Sequence, residues 1–310
     1  MLMRKNNMKL NLIAGEEQPP LITSPSFEII GESRDKQLDI IEVRYSVDTE
    51  SEVPALILRS NLYSTHKPCI ALHQTTQPNG LGKREPAGIA GKQTLHYGRE
   101  LAENGYVVIC PDYPLFGDYE VSVDNIYHGF GYSSMTMKGV NNHKRAIDLL
   151  RFFGATSCEK VLCVGHSLGA SNCIFLASFD QRIAGVISSA GFSSFKSYSD
   201  SSKTHDLTGW ARRDKYMPYI YSRYGSDYRR MPLDFDDIIS ALCPTPIFVN
   251  APLHDDVFRH TGALEAYIGA RRDYEAHGAG DKLMLVEPDS NHDFPIQYHS
   301  QAYDFIGQFI

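Results

Sequence analysis

After about residue 67, short apolar stretches alternate with helical stretches, and this rhythm restricts the fold more than any other feature of the chain. Residues 106–110 and 160–164 are apolar runs without the polar–apolar alternation of a half-exposed strand. Helical spacing extends over 134–153 and over 168–178. Strands of this kind, separated by helices, are typical of a mostly parallel sheet buried on both faces. We therefore expect an α/β fold with helices flanking the sheet.

The same pattern predicts how the chain is divided. Residues 1–26 are polar and contain two adjacent prolines, which indicates an N-terminal arm, and 27–310 form the main domain. Residues 193–240 are polar and rich in tyrosine and break the rhythm, so we expect a cap inserted between two strands. Further strands are predicted over 27–30, 39–47, 55–59, 68–73, 183–188, 246–250 and 282–286, and further helices over 94–104, 261–277 and 296–309.

Composition limits the partners of the chain. The 310 residues are 42% hydrophobic and 22% charged, which is typical of a globular protein. The net charge of −7 argues against binding to nucleic acid or to an anionic membrane. No run of 18 apolar residues is present, so no membrane span is predicted. The oligomeric state stays open, and a homodimer is compatible with the sequence.

Six cysteines are scattered through the chain without a CxxC pair, most of them beside apolar runs. This pattern favours buried free thiols in a reducing compartment. The apolar stretch near the N-terminus, residues 10–14, is shorter than the core of a signal peptide. We therefore expect a cytoplasmic location.

A nucleophile motif follows the strand predicted at 160–164. Gly165, Ser167 and Gly169 belong to GHSLG, which matches GxSxG, and a helix rich in small residues comes next. A strand, a sharp turn and a helix in this order would project the serine hydroxyl above the sheet. Glycines two residues either side remove Cβ atoms that would collide at such a turn. Ser167 is the predicted nucleophile.

A base and an acid for this serine occur in the order that the architecture requires. Asp255 follows the strand at 246–250, and His292 follows the strand at 282–286. His292 would take the serine proton, and Asp255 would orient and stabilise the imidazolium. Asp256 is the alternative acid, and we favour Asp255 because it comes first after the strand.

The oxyanion of an acyl-transfer intermediate needs two backbone N–H donors. The residue after the nucleophile, Leu168, is the first candidate. The second should come from the loop after the strand at 68–73, where Thr75 is preferred and Gln74 is the alternative. His73 is expected to orient that loop.

With these residues the chain resembles the α/β-hydrolase superfamily, in its dienelactone hydrolase and acetyl xylan esterase-like branch. The resemblance extends over about residues 40–310, and besides GHSLG it rests on His73-Gln74, on Asp112-Tyr113 with Gly117, and on His292-Asp293-Phe294-Pro295. It implies an eight-stranded, mostly parallel sheet and a serine-dependent hydrolase of carboxylic esters. Dienelactone hydrolases use a cysteine nucleophile, so Ser167 favours ester chemistry over lactone chemistry. Gln74 stands where the family usually has glycine.

Other functions remain open from the sequence. A serine peptidase or an acyltransferase would use the same triad, and a binding protein on a hydrolase scaffold would be expected to lack a triad member. Three His-Asp pairs (His205-Asp206, His254-Asp255 and His292-Asp293) suit a metal-dependent phosphohydrolase less well, because they lack helical ligand spacing. We expect neither a cofactor nor a metal.

The substrate is the least determined part of the prediction. The tyrosines of the cap either pack an irregular insertion or form an amphipathic wall suited to a polar or aromatic acyl ester. On the second interpretation, Trp210 and Tyr113 contact the substrate. No strongly apolar helix that could serve as a lid is evident, so we expect the substrate to be a small-molecule ester and not a lipid at an interface.

Overall fold

A computed structural model describes residues 9–17, 26–48, 51–201 and 207–310. Within these residues a single sheet of nine strands forms the centre of the molecule, in the order β1-β2-β3-β5-β4-β6-β7-β8-β9. The α/β class is confirmed, and the expected count of eight strands is wrong by one. The strands are β1 Ser26–Asp35, β2 Leu38–Asp48, β3 Ser51–Ser60, β4 Lys67–Leu72, β5 Tyr106–Pro111, β6 Val161–His166, β7 Ile183–Ser189, β8 Ile247–Asn250 and β9 Leu283–Val286.

The sheet has an antiparallel part and a parallel part. Strands β1, β2 and β3 form a meander, and β3 pairs antiparallel with β5. From β5 through β4 to β9 every pairing is parallel. Tight connections join β1, β2 and β3, whereas parallel neighbours need a longer crossover. The carboxyl ends of β4, β6, β7, β8 and β9 consequently meet at one edge.

Helices supply those crossovers. The amphipathic α3 begins at Ser134, whose hydroxyl accepts a hydrogen bond from the Met137 N–H at 3.1 Å and caps the helix. The helix α4 leaves β6 directly and is buried along almost its whole length. The helices are α1 over residues 9–14, α2 Tyr97–Glu103, α3 Met135–Leu149, α4 Leu168–Phe179, α5 Phe195–Ser201, α6 Tyr219–Tyr224, α7 Phe235–Ser240, α8 His260–Ala276 and α9 His299–Gly307.

Apolar side chains cover both faces of the parallel strands. In β4, Ile70 and Leu72 belong to the cluster on one face, and Cys69 and Ala71 belong to the cluster on the other. This division follows from the alternation of side chains along a strand. It explains why these strands lack a polar–apolar alternation.

The described part of the N-terminal segment packs against the main domain. Leu10, Ile13 and Ala14 are buried in the larger cluster, and the Ser134 hydroxyl donates a hydrogen bond to the Ala14 carbonyl at 2.5 Å. None of the helices that the structure describes combines the length and the apolar character needed to cross a bilayer.

The stretch predicted as a cap lies between β7 and β8 and contributes α5, α6 and α7. Several of its aromatic side chains are buried around Trp210, whose ring is 4.4 Å from that of Tyr216 and 5.4 Å from that of Phe235, centroid to centroid. Tyr221, in contrast, is exposed. Phe175 of α4 also packs on Trp210, so this cluster joins the inserted segment to that helix.

Candidate active site

Ser167 occupies a strained turn between β6 and α4. Its backbone angles are φ 54° and ψ −120°, a region that a residue with a side chain rarely adopts. The Ser167 N–H donates to the Ser189 carbonyl at 2.8 Å, which fixes the turn to the neighbouring strand. The turn has the form of a nucleophile elbow.

The two motif glycines allow this turn to pack closely. A Cβ atom on Gly165 would lie 2.4 Å from the carbonyl carbon of Gly169. A Cβ atom on Gly169 would lie 2.1 Å from the carbonyl oxygen of Leu72, at the end of β4. Since both neighbours are backbone, neither position can hold a larger residue without moving the chain. The elbow therefore sits directly against the loop that follows β4.

His292 and Asp255 are joined across the same edge of the sheet. The His292 Nδ1 lies 2.8 Å from Asp255 Oδ2, and the Asp255 side chain is fully buried. Its other oxygen, Oδ1, accepts from the N–H groups of Val257 and Phe258, each at 2.8 Å. Three hydrogen bonds keep the carboxylate aimed at the imidazole. The His292 ring lies 4.7 Å from the ring of His166, the residue before the serine.

Asp256, the alternative acid, is exposed, whereas Asp255 lies inside the loop. The fold separates the two because the Asp255 carboxylate accepts hydrogen bonds from its own turn, as Asp side chains commonly do. The geometry favours Asp255 as the partner of His292.

His254 and His260 bond to separate carboxylates. His254 contacts Asp289, with 2.7 Å between Nε2 and Oδ1, and His260 contacts Glu287 at 2.7 Å. The pair at 205–206 lies outside the described residues. Within the described ranges, no three His, Cys, Asp or Glu side chains form a group that could hold a metal ion.

The first turn of α4 begins directly after Ser167. Intrahelical hydrogen bonding in α4 starts with the Ser171 N–H, which donates to the Ser167 carbonyl at 3.1 Å. The N–H groups ahead of it, beginning with Leu168, have no partner within the helix, and the helix dipole adds positive potential there. The role of Leu168 as the first oxyanion donor stays a prediction.

The loop after β4 is held by His73. Its Nε2 accepts from the Tyr113 N–H at 2.9 Å, so its Nδ1 carries the hydrogen and donates to the Gln74 carbonyl at 2.6 Å. Burial lowers the pKa of His73, which favours this neutral form. The Gln74 side chain donates to Glu85 Oε2 at 2.7 Å, and Thr75 is exposed. Which of the two residues supplies the second donor stays a prediction.

The chain is similar to a known protein family and to several solved structures. Residues 84–218 match the model of the dienelactone hydrolase family. A glucuronoyl esterase from Solibacter usitatus superimposes with a TM-score of 0.72 at 13% identity, covering 98% of this chain and 91% of that one. Acetyl xylan esterase 1 from a Thermoanaerobacterium species superimposes with a TM-score of 0.61 at 11% identity, covering 99% and 92%. The chain spans 62% of a methylesterase, with a TM-score of 0.62 at 13% identity. No curated protein matches at the level of sequence.

The chain has the α/β-hydrolase fold. The resemblance expected from the sequence is confirmed, including its dienelactone hydrolase and acetyl xylan esterase-like character.

A buried ion cluster follows the loop after β4 in the chain, and sequence reasoning missed it. Lys83 is 1% exposed and pairs with Asp112, with 2.9 Å between Nζ and Oδ2, and also with Asp118. Gly117 packs against the same aspartate, since a Cβ there would lie 2.1 Å from Asp112 Oδ1. Asp112 and Gly117 were visible as part of the family resemblance, but nothing in the local pattern marks Lys83 as buried.

Both residues predicted to contact the substrate have buried side chains. Tyr113 is 3% exposed, and its hydroxyl donates to the Lys215 carbonyl at 2.9 Å, which links the segment after β5 to the inserted segment. Trp210 is 1% exposed within the aromatic cluster, and its Nε1 has no hydrogen-bond partner among the residues that the structure describes. Direct contact of either ring with a substrate stays a prediction.

Proposed function

We propose that this protein is a serine-dependent carboxylesterase that cleaves small soluble esters through an acyl-enzyme. One observation carries the proposal: the strained Ser167 elbow shares a sheet edge with a histidine that is bonded to a buried carboxylate. A serine hydroxyl is a weak nucleophile at neutral pH and becomes effective with such a base beside it.

In the first half-reaction, the proton of the Ser167 hydroxyl passes to His292 Nε2 while Oγ attacks the ester carbonyl. The Leu168 N–H and the N–H of Gln74 or Thr75 stabilise the oxyanion. Asp255 balances the charge of the imidazolium and keeps its Nδ1–H in place. Collapse of the intermediate breaks the bond to the alcohol, which leaves with the proton from His292.

In the second half-reaction, His292 takes a proton from water, and the hydroxide attacks the acyl carbonyl. The same two N–H groups hold the second oxyanion. Its collapse releases the carboxylic acid and returns the proton to Ser167. Neither half-reaction requires a metal or a cofactor.

The first test is the intact mass of the protein after exposure to an active-site serine phosphonate. We expect one adduct on the wild type and none on Ser167→Ala. A folded wild type that forms no adduct would contradict the proposal and would favour a binding protein on a hydrolase scaffold. A panel of esters, amides and acyl acceptors then separates an esterase from a peptidase or an acyltransferase.

The substrate class is proposed from the inserted segment and from the neighbours. The cap-like segment has a polar, tyrosine-rich composition, and solved neighbours are named as acetyl xylan and glucuronoyl esterases. We expect short soluble esters to be cleaved faster than long-chain lipids, with acetylated and uronate-ester carbohydrates as the first natural compounds to assay. Faster turnover of emulsified triglyceride than of p-nitrophenyl acetate would contradict this expectation.

The remaining expectations are part of the same proposal. Residues 1–26 serve as an arm, 27–310 as the catalytic domain and 193–240 as its cap. The cytoplasmic location is supported by free thiols: Cys69, Cys110, Cys163 and Cys173 are buried without disulfides.

A further inference from the structure

Three buried polar side chains lie in a row beneath His292, and this inference rests on the proposed function. His166, Ser189 and Asn250 end the adjacent strands β6, β7 and β8. The sheet register pairs His166 with Ser189 and Ser189 with Asn250. Laterally paired residues of a parallel sheet point to the same face, so the three side chains are neighbours. Each is at most 1% exposed.

The row is continuous in its hydrogen bonds. The Asn250 amide donates to Ser189 Oγ at 2.8 Å and to the Asp293 carbonyl at 2.9 Å. Ser189 Oγ lies 2.9 Å from His166 Nδ1. A carbonyl oxygen can only accept, so the contact with Asp293 fixes the orientation of the Asn250 amide.

That orientation leaves the Ser189 hydroxyl able to donate along the row. Ser189 Oγ accepts from Asn250, so its single hydrogen is available to His166 Nδ1. In that arrangement His166 is a neutral imidazole, and its Nε2 has no hydrogen-bond partner among the described residues. Burial lowers the pKa of His166 well below the usual value, and the neighbouring His292 adds to this effect. Geometry and electrostatics agree on an uncharged ring.

The far end of the row holds the loop that carries His292. Asn250 bonds the carbonyl of Asp293, the residue that follows His292. The Asp293 carboxylate accepts from Thr94 Oγ1 at 2.6 Å and from the Phe294 N–H at 2.9 Å. The loop is therefore fixed from two sides, directly after the imidazole.

We propose that His166, Ser189 and Asn250 are positioning residues that anchor the His292 loop and keep an uncharged ring beneath the imidazole during catalysis. The His292 and His166 rings are 4.7 Å apart and tilted by 52°. When His292 becomes an imidazolium, a positively charged His166 ring at this distance would repel it and destabilise the charge. By keeping His166 uncharged, the row avoids this repulsion, and it keeps Nδ1 of His292 aligned with Asp255.

The test compares Ser189→Ala with Ser178→Ala. Both remove one buried serine hydroxyl, but Ser178 bonds the Ile174 carbonyl within α4 and has no contact with the row. For Ser189→Ala we expect kcat to fall about tenfold, with KM within about twofold of the wild type. We expect the acidic limb of the kcat profile to move to lower pH by about 0.5 unit, because a more easily charged His166 disfavours the His292 imidazolium. Ser178→Ala should match the wild type in kcat, in KM and in the position of the acidic limb.

The surrounding charges stay the same in every variant. They are Asp255 after β8, Asp293 on the loop itself and Lys92 ahead of α2, whose charge acts on His166. A change in the acidic limb therefore reports on the row itself.

A measurement without substrate separates this inference from the proposed function. The pKa of His292 is read by NMR titration of the histidine ring carbons, and we expect a lower value in Ser189→Ala. If the wild type cleaves no ester, the proposed function fails, while the titration still tests the row. Equal His292 pKa values in the wild type, Ser189→Ala and Ser178→Ala would overturn the inference. Asn250→Ala, with the same expected direction, replaces Ser189→Ala if that variant does not fold.

Discussion

The carboxyl edge of the parallel sheet and the inserted segment over 193–240 differ in how they use their polar and aromatic side chains. At the sheet edge, the site residues follow strand ends at short offsets and point at one another, as Asp255 and His292 do. In the inserted segment, Trp210 and Phe235 are buried among their neighbours, while Tyr221 is exposed. The difference shows that strand ends position the polar side chains of the candidate site, while the insertion buries several of its aromatic side chains in its own packing.

This contrast has a physical cause. Adjacent parallel strands are in fixed register, so the position of a residue just beyond a strand end is closely restricted. An irregular insertion has no such register and must bury apolar area to become ordered. If this explanation is correct, substitutions at the sheet edge should affect activity more than substitutions in the inserted segment.

Removing the nucleophile should have the largest effect. For Ser167→Ala we expect kcat/KM for p-nitrophenyl acetate to fall about 10⁴-fold or more, since the attacking atom is absent. The melting temperature serves as a control and should change little. Residual activity above a tenth of the wild type would show that Ser167 is not the nucleophile.

The two adjacent aspartates should differ sharply. Asp255→Asn keeps the size but weakens the bond to His292 Nδ1, and we expect kcat to fall about 10²- to 10⁴-fold. Asp256→Asn changes an exposed side chain, and its kcat should stay within about twofold. Steady-state kinetics of both variants give the comparison, and the reverse ranking would reassign the acid.

A pair of glycine substitutions compares the two regions directly. In Gly169→Ala the new Cβ would meet the Leu72 carbonyl oxygen at 2.1 Å, and in Gly209→Ala it would meet the Tyr198 hydroxyl at the same distance. Backbone cannot yield, whereas a side-chain tip can rotate away. We expect Gly169→Ala to lower the free energy of unfolding by about 1–3 kcal/mol and to impair turnover, and Gly209→Ala to do neither. Urea unfolding gives the free energy of unfolding of each variant, and activity assays give its turnover. Equal decreases in the two variants would show that the sheet edge and the inserted segment do not differ in this respect.

Stability should fall on mild acidification because buried histidines are kept neutral. Burial lowers the pKa of His143 to about 3 in the folded state, whereas the unfolded chain takes up the proton below about pH 6.5. The folded state therefore loses stability as the pH falls below 6.5. Asp234 acts in the opposite direction, since burial raises its pKa to about 6.

The variant His143→Leu isolates one of these protons. We expect its free energy of unfolding to decline less than that of the wild type between pH 7 and pH 5, by about 2 kcal/mol. Urea titrations at the two pH values provide the measurement. The same decline in both proteins would show that His143 titrates normally.

The smallest effect is expected for Trp210→Phe. Because Trp210 is 1% exposed and packs on Tyr216 and Phe235, we expect a lower melting temperature and a KM within about twofold of the wild type. A several-fold rise in KM at unchanged stability would establish the substrate contact that the sequence predicts for this ring.

Most of the fold was predictable because buried strands have a clear signature. Each of the nine strand-like stretches in the sequence corresponds to a strand of the sheet, and the count of eight came from the family resemblance. Helix ends were less certain. The helix expected over 134–153 ends as an α-helix at Leu149 and continues as a 3₁₀ turn, Leu150–Phe153, which hydrophobic spacing alone does not distinguish.

The sequence by itself determined the order of strands along the chain and the positions of Ser167, Asp255 and His292 after three of them. It could do so because hydrophobic periodicity and chain order are local properties. The folded chain was needed to show which of two adjacent aspartates meets the imidazole, that Lys83 is buried against Asp112, and that His166, Ser189 and Asn250 form one row. These facts depend on lateral register and burial, which bring together residues far apart in the chain and leave no local mark in the sequence.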